Sequence, residues 1–233
     1  MAQSVKSAID LLKTRVAQLP IAERQWMFGA AVFLVTVPVF FEAPLVRYAP
    51  LCACLITGGW WAISWGLLSR RETEVWGDLL LGFTGTWLTG SVYWGGLRWE
   101  PLLHLPVEAL GLPIALWCLW RARMAVGTWF YLGSLLGTAV TDLYFYIVDL
   151  IPHWRQLMHG EPELAGVILS AALERVNSPT GTAWAIALAL VLLATGAIPL
   201  RSRHLHWWAF GGAVLSTILV DGLFWLAAWA GRA

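Results

Sequence analysis

Four acids fall inside apolar stretches of this 233-residue chain: Glu42, Glu108, Asp142 and Asp221. A carboxylate in hydrocarbon is costly unless it is paired, hydrated or protonated, so each one needs a chemical reason to be there. Two of them follow a threonine at the same interval, Thr138-x-x-x-Asp142 in LGTAVTDLYF and Thr217-x-x-x-Asp221 in LSTILVDGLF, a partial internal echo. Carboxylates gathered in low dielectric resist joint ionisation, so such a group holds a proton or shares a cation. The alternative chemistry is local pairing, in which Arg47, Arg98, Arg155, His104 or His153 neutralises each acid and merely locks helix ends. Asp149 and His153 stand four residues apart, a spacing that fits one such pair if both lie on one helix. Asp78, close to Arg70 and Arg71, reads as a structural ion pair instead.

The elements that carry these acids follow from composition. Hydrophobic residues make up 59% of the chain and charged residues 12%, with 17 Trp and a mean hydropathy of +0.67, against roughly 25% charged in an average soluble domain. That is an all-α, polytopic membrane helix bundle in a single integral domain, residues 1–233. Seven apolar runs are long enough to cross a hydrocarbon core, near 26–46, 51–69, 75–99, 102–120, 124–151, 182–200 and 207–229. The first is interrupted by Glu42 and Pro44, the fourth by His104, Pro106 and Glu108. The fifth exceeds the hydrocarbon thickness, which brings Asp149 to the interface.

Basic residues orient the bundle. A cytoplasmic N-terminus puts ten on the inner side (Lys6, Lys13, Arg15, Arg24, Arg70, Arg71, Arg121, Arg123, Arg201 and Arg203) against five outside (Arg47, Arg98, Arg155, Arg175 and Arg232). Seven spans then place the C-terminus in the periplasm or lumen. Measured from the inner side, Glu42 follows Arg24 by 18 residues, Asp142 follows Arg123 by 19 and Asp221 follows Arg203 by 18. At helical rise all three lie about 27 Å up their helices, with Glu108 about 20 Å up on a helix running the other way. Glu42, Asp142 and Asp221 are thus expected in one layer of the outer half, with Glu108 facing the same pocket from slightly deeper.

Outside the spans, Val5, Ile9, Leu12, Val16 and Leu19 form the apolar face of an N-terminal amphipathic helix over 1–20, lying on the membrane surface or packed on the protein's own loops. The long outer connection, 152–181, contains PELAGVILSAALERV, a second amphipathic helix with Pro162 at its start and Asn177 and Pro179 at its end. Gly133, Gly137 and Thr141 step by four along the fifth run, and Gly212 and Ser216 along the seventh. Such ridges of small residues let membrane helices approach closely.

Other chemistries are removed by absence. Net charge is +1 with no basic patch, which argues against nucleic acid, and no lysine follows Lys13, which excludes a retinal Schiff base in the last helix. Cys52, Cys54 and Cys118 lie in apolar runs without disulfide or zinc spacing, no metal site is expected, and no phosphate loop, dinucleotide fingerprint or nucleophile elbow occurs. His204 and His206 read as solvated interface residues, with a pigment or haem ligand as their other reading.

The phrases WGDLLLGF, GSVYWGGLRWEPLLHLPVEALGLP, LWCLWRAR, GTAVTDLYFYIVDLIPHWRQLM and RSRHLHWWAFGGAVLSTILVDGLFWLAAW resemble a cyanobacterial multi-pass membrane family catalogued as a domain of unknown function. The resemblance implies the cytoplasmic or thylakoid membrane of an oxygenic phototroph and assigns no activity. Three functional expectations stand together. The leading one is a non-enzymatic accessory or assembly protein of the photosynthetic membrane, binding lipid, pigment or a partner subunit of a membrane complex. The second is a proton-coupled transporter of a small solute or ion that uses Glu42, Glu108, Asp142, Asp221, Thr138 and Thr217. The third is an isoprenoid or carotenoid cyclase or isomerase, with a protonated acid and Trp faces stabilising a carbocation.

Overall fold

The computed structural model describes residues 21–232 as an all-helical bundle. The N-terminal amphipathic helix expected over 1–20 lies outside the described residues. The long helices are α1 (Ile21–Tyr48), α2 (Pro50–Leu68), α3 (Glu74–Gly96), α6 (Ala125–Ile147), α9 (Pro179–Ala197) and α10 (Leu205–Ala230). Between α3 and α6 the chain forms α4 (His104–Glu108) and α5 (Leu112–Trp120), and between α6 and α9 it forms α7 (Ile151–His159) and α8 (Ala165–Val176).

Among the described residues five stretches are long and apolar enough to cross a membrane: α1, α2, Pro101–Trp120, Pro179–Arg201 and α10; α6 with α7 makes a sixth if that pair, bent by 98°, counts as one span. The protein is therefore a polytopic membrane bundle of five to six such spans. The expected third span, α3, runs 23 residues but carries Glu74, Asp78 and many Gly, Thr and Ser. Much of it is enclosed, with Gly77, Asp78, Leu79, Phe83, Thr84 and Trp87 buried, and an enclosed helix does not have to match lipid. Large apolar side chains face outward around the perimeter, among them Phe41, Leu55, Ile114, Leu190 and Trp225, as expected where lipid replaces water as the solvent.

Four helices meet at the centre. Met27 and Ala31 of α1, Leu79, Phe83 and Trp87 of α3, Val126 and Phe130 of α6, and Ala209 and Ala213 of α10 form one buried cluster. Helices α2, α5 and α9 pack on the outside of α3, α6 and α10 respectively. The small-residue ridges do what their spacing implies. At the α3–α6 crossing an added Cβ on Gly82 would run into the backbone of Gly127, and between α6 and α10 one on Gly137 would run into the Thr217 side chain. We expect Gly137→Val to separate α6 from α10 and to lower the melting temperature of the purified protein by several degrees, at a cost of about 1–3 kcal/mol from overpacking. Thermal unfolding in detergent checks this.

Three expectations about helix ends change. The fifth span ends at Ile147, because the backbone turns left-handed at Asp149 (φ 60°) and α7 leaves at a steep angle. Asp149 and His153 consequently do not share a helix and form no pair: Asp149 meets Arg175 at 3.5 Å, and Nδ1 of His153 is buried without a partner among the described residues. The outer connection holds two helices instead of one, and its second begins as a 3-10 turn over Pro162–Leu164 before α8 runs to Val176.

Asp78 is the third correction. Its carboxylate accepts hydrogen bonds from the backbone N–H groups of Val126 (2.9 Å) and Gly127 (3.0 Å), not from Arg70 or Arg71. Those amides belong to the first turn of α6, which has no intrahelical acceptor, so Asp78 caps a neighbouring helix from 48 residues away.

Candidate functional site

The site is built where α4, α3 and α6 meet. The run PLLHLPVEALGLP cannot form one regular helix, because Pro106 and Pro113 each lack a backbone donor. It forms a 3-10 turn over Pro101–Leu103, the short α4, a second 3-10 turn over Ala109–Gly111, and α5. Residues four apart on α4 share a face, so His104 and Glu108 project together toward α6.

His104 is the centre of the arrangement. Its Nε2 lies 3.2 Å from Oε1 of Glu108 and its Nδ1 lies 2.9 Å from Oδ1 of Asp142. Tyr93 of α3 stacks on the imidazole at 4.3 Å between ring centres, and Trp94 meets its edge at 5.9 Å. The second oxygen of Glu108 accepts from the Thr138 hydroxyl at 2.6 Å. The contact to Asp142 is a hydrogen bond, which needs one proton wherever that proton sits, and the Glu108 carboxylate stands at ion-pair distance from the other ring nitrogen. Each proton gained or lost by the three groups together changes their net charge by one.

The remaining acids are tied to the same helices. Glu42 of α1 accepts from the Ser91 hydroxyl of α3 at 2.7 Å, and Asp221 of α10 accepts from Thr141 of α6 at 3.0 and 3.2 Å. The four expected acids are therefore distributed over three hydrogen-bonded or ion-paired groups on neighbouring helices, Ser91–Glu42, Thr138–Glu108–His104–Asp142 and Thr141–Asp221, which together make up a polar track. Among the described residues no arginine forms an ion pair with any of them. No group of three His, Cys, Asp or Glu suited to a metal ion occurs there either.

The expected partners divide. His104 belongs to the cluster, whereas Arg98 donates to the carbonyls of Trp94 and Gly95 on its own helix, and Arg155 pairs with Glu100 at 2.8 Å. Arg47 forms no ion pair among the described residues. Thr217 packs against Gly137 and does not touch an acid, and the hydroxyl that serves Asp221 is Thr141, one residue before Asp142. The Thr-x-x-x-Asp echo is thus not a repeated hydrogen bond. Sequence reading missed Tyr93, Ser91, Thr141 and Tyr131, whose roles depend on contacts between helices.

Residues 31–229 match the family described as "Protein of unknown function (DUF3120)". The chain belongs to the DUF3120 family. No curated protein and no solved structure matches it. The match takes in all four acids, His104 and both 3-10 breaks of the fourth apolar run, so the polar track lies wholly within the DUF3120 region.

Beyond the end of α6, α7 is fastened down. Trp154 donates its indole N–H to the Arg98 carbonyl at 2.7 Å, and Arg155 holds the Glu100 carboxyl below its usual range by a direct hydrogen bond. A lowered folded value means this contribution to stability is complete above the ordinary glutamate value of 4.5 and is lost as pH falls below it. We expect Glu100→Gln to flatten the acid side of the stability profile below that pH while leaving neutral-pH stability almost unchanged, since the pair is partly exposed. Melting temperature measured from pH 7 down to pH 3 reads the difference.

Proposed function

We propose that this DUF3120 protein is a proton-coupled transporter of a small solute or ion. The observation that carries the reading is His104 held between Glu108 and Asp142 inside the bundle, an arrangement that changes charge by gaining or losing one proton. Ionisable groups within a membrane that face the bundle interior are the usual parts of a proton relay. A broken helix at the same depth is the usual backbone of a transport site. Glu42 and Asp221 extend the track toward α1 and α10, and the absence of any arginine paired to it among the described residues favours a cation or proton as the coupled species. In this reading α3 is a seventh span, enclosed by its neighbours, the N-terminus is cytoplasmic and the C-terminus periplasmic or lumenal. The resemblance to a cyanobacterial family favours a cytoplasmic or thylakoid membrane.

The test is proton movement in proteoliposomes loaded with a pH-sensitive dye, after addition of sodium, potassium or small organic cations, or under an imposed pH gradient. Coupled movement requires an internal pH change beyond that of protein-free vesicles. Traces indistinguishable from empty vesicles under every gradient would remove the reading.

A second reading, the accessory or assembly role, is favoured by the outward face of α2. There Trp61 and Trp65 stack at 5.8 Å, and Cys52, Leu55, Ile56, Gly59, Trp60 and Ile63 line a shallow apolar groove open to lipid. Its test is co-purification from native membranes, with a partner subunit or pigment as the expected yield.

A further inference from the structure

The break in the fourth apolar run lies one residue beyond Glu108, and its cause can be read from the chain. Pro113 cannot donate to the Ala109 carbonyl, the acceptor that position would use in an α-helix. Leu112 takes that carbonyl instead, closing the 3-10 turn over Ala109–Gly111, and so turns away from its own α-helical acceptor, the carbonyl of Glu108. A residue from another helix supplies the replacement: the buried Tyr131 of α6 donates its hydroxyl to the Glu108 carbonyl at 2.7 Å. Its ring fits there because residue 111 is glycine; a Cβ at that position would meet Cε2, Cζ and the hydroxyl oxygen of Tyr131 at 3.0 Å. The backbone of Glu108 is thereby pinned to α6, the helix that also carries Thr138 and Asp142.

We propose that Tyr131 is a positioning residue for the His104 site: its hydroxyl latches the broken turn so that the Glu108 carboxylate stays on His104, and release of the latch withdraws that carboxylate. This rests on the proton-coupled reading for its role in transport, but the latch itself is a property of the fold. A short 3-10 stretch within a span is a natural hinge, because one shifted hydrogen bond separates it from α-helix. The charged and titratable groups around Glu108 are His104 on α4, Glu42 from α1, Tyr93 from α3, and Tyr131 and Asp142 from α6. Of these, Tyr131 holds the main chain and His104 the side chain.

The experiment follows the proton state of His104 by NMR of 15N-histidine-labelled protein in nanodiscs, the signal being assigned by its loss in His104→Gln. Glu108→Gln, which removes the charge and keeps an acceptor, sets the sense of the shift expected when the carboxylate no longer serves His104. Tyr131→Phe should displace the His104 titration midpoint in that same sense by about one pH unit, tenfold in proton affinity, in protein that is still folded. Gly111→Ala, which crowds the ring and leaves the hydroxyl in place, should displace it likewise and decides the matter if Tyr131→Phe does not fold. Midpoints in both variants superimposable on the wild type overturn the latch. Vesicle transport separates the two claims: a silent wild type removes the transport reading while the NMR titration still decides the latch, and an active wild type with undisplaced NMR midpoints keeps transport and removes the latch.

Discussion

Asp142→Asn is expected to bring coupled proton movement in proteoliposomes down to the level of empty vesicles, with the protein still folded. The substitution is nearly isosteric, and the amide oxygen can still accept from Nδ1 of His104 across the 2.9 Å contact. What it removes is the charge. His104 is then left with Glu108 alone as a carboxylate partner, and the triad can no longer gain and lose a proton around the same balance. Loss of a charged partner from a half-buried hydrogen bond is worth about 1.5–3 kcal/mol, which shifts the protonation equilibrium by roughly ten- to a hundredfold. Thr217→Val provides the contrast, because Thr217 shares the sequence spacing of Thr138 but touches Gly137 and no acid. It should leave transport intact. Equal loss in both variants, or unaffected transport in Asp142→Asn, would contradict the assigned geometry.

The largest expected effect on folding belongs to Asp78. Asp78→Ala leaves the N–H groups of Val126 and Gly127 buried without an acceptor and strips a negative charge from the positive end of α6. Charge-assisted hydrogen bonds contribute about 1.5–3 kcal/mol each and the helix-end charge about 0.3–1 kcal/mol, so a loss of about 3–6 kcal/mol is expected. Asp78→Asn should fall between, because its amide offers one oxygen where two are used and turns an N–H toward another donor. Arg70→Ala and Arg71→Ala should change little. Chemical or thermal unfolding in detergent ranks the four, and parity between Asp78→Ala and Arg70→Ala would restore the ion-pair explanation.

Most of the apolar runs were legible in the chain because hydrocarbon imposes length and polarity on each span separately. That is why Glu42, Glu108, Asp142 and Asp221, spread over 180 residues, could be expected near one another before any contact was known. The fourth run was marked as interrupted by His104, Pro106 and Glu108, yet Pro106 sits inside α4 and the turn after Glu108 is set by Pro113, which the reading passed over. Pairing was not legible. Asp78 was assigned to the nearest cations in sequence, yet its partners are backbone amides, which are the same at every position and leave no mark on residue type. His104 counted only as a neutralising neighbour, although the i, i+4 relation to Glu108 marked one face shared by both. The left-handed turn at Asp149 separated it from His153 without any glycine to announce it. Thr141 looked like packing filler because its hydroxyl serves an acid 80 residues away.

The bare crossing of α3 and α6 has a mechanical consequence. Where Gly82 faces Gly127 the two backbones touch with no side chain between them, and Asp78 bolts the pair together one turn below. Surfaces that close cannot slide or roll without collision, so α3 and α6 must travel as a single strut. Any cycle that exposes the polar track to one side and then the other has to be carried by the elements around that strut, and not by a shift within it.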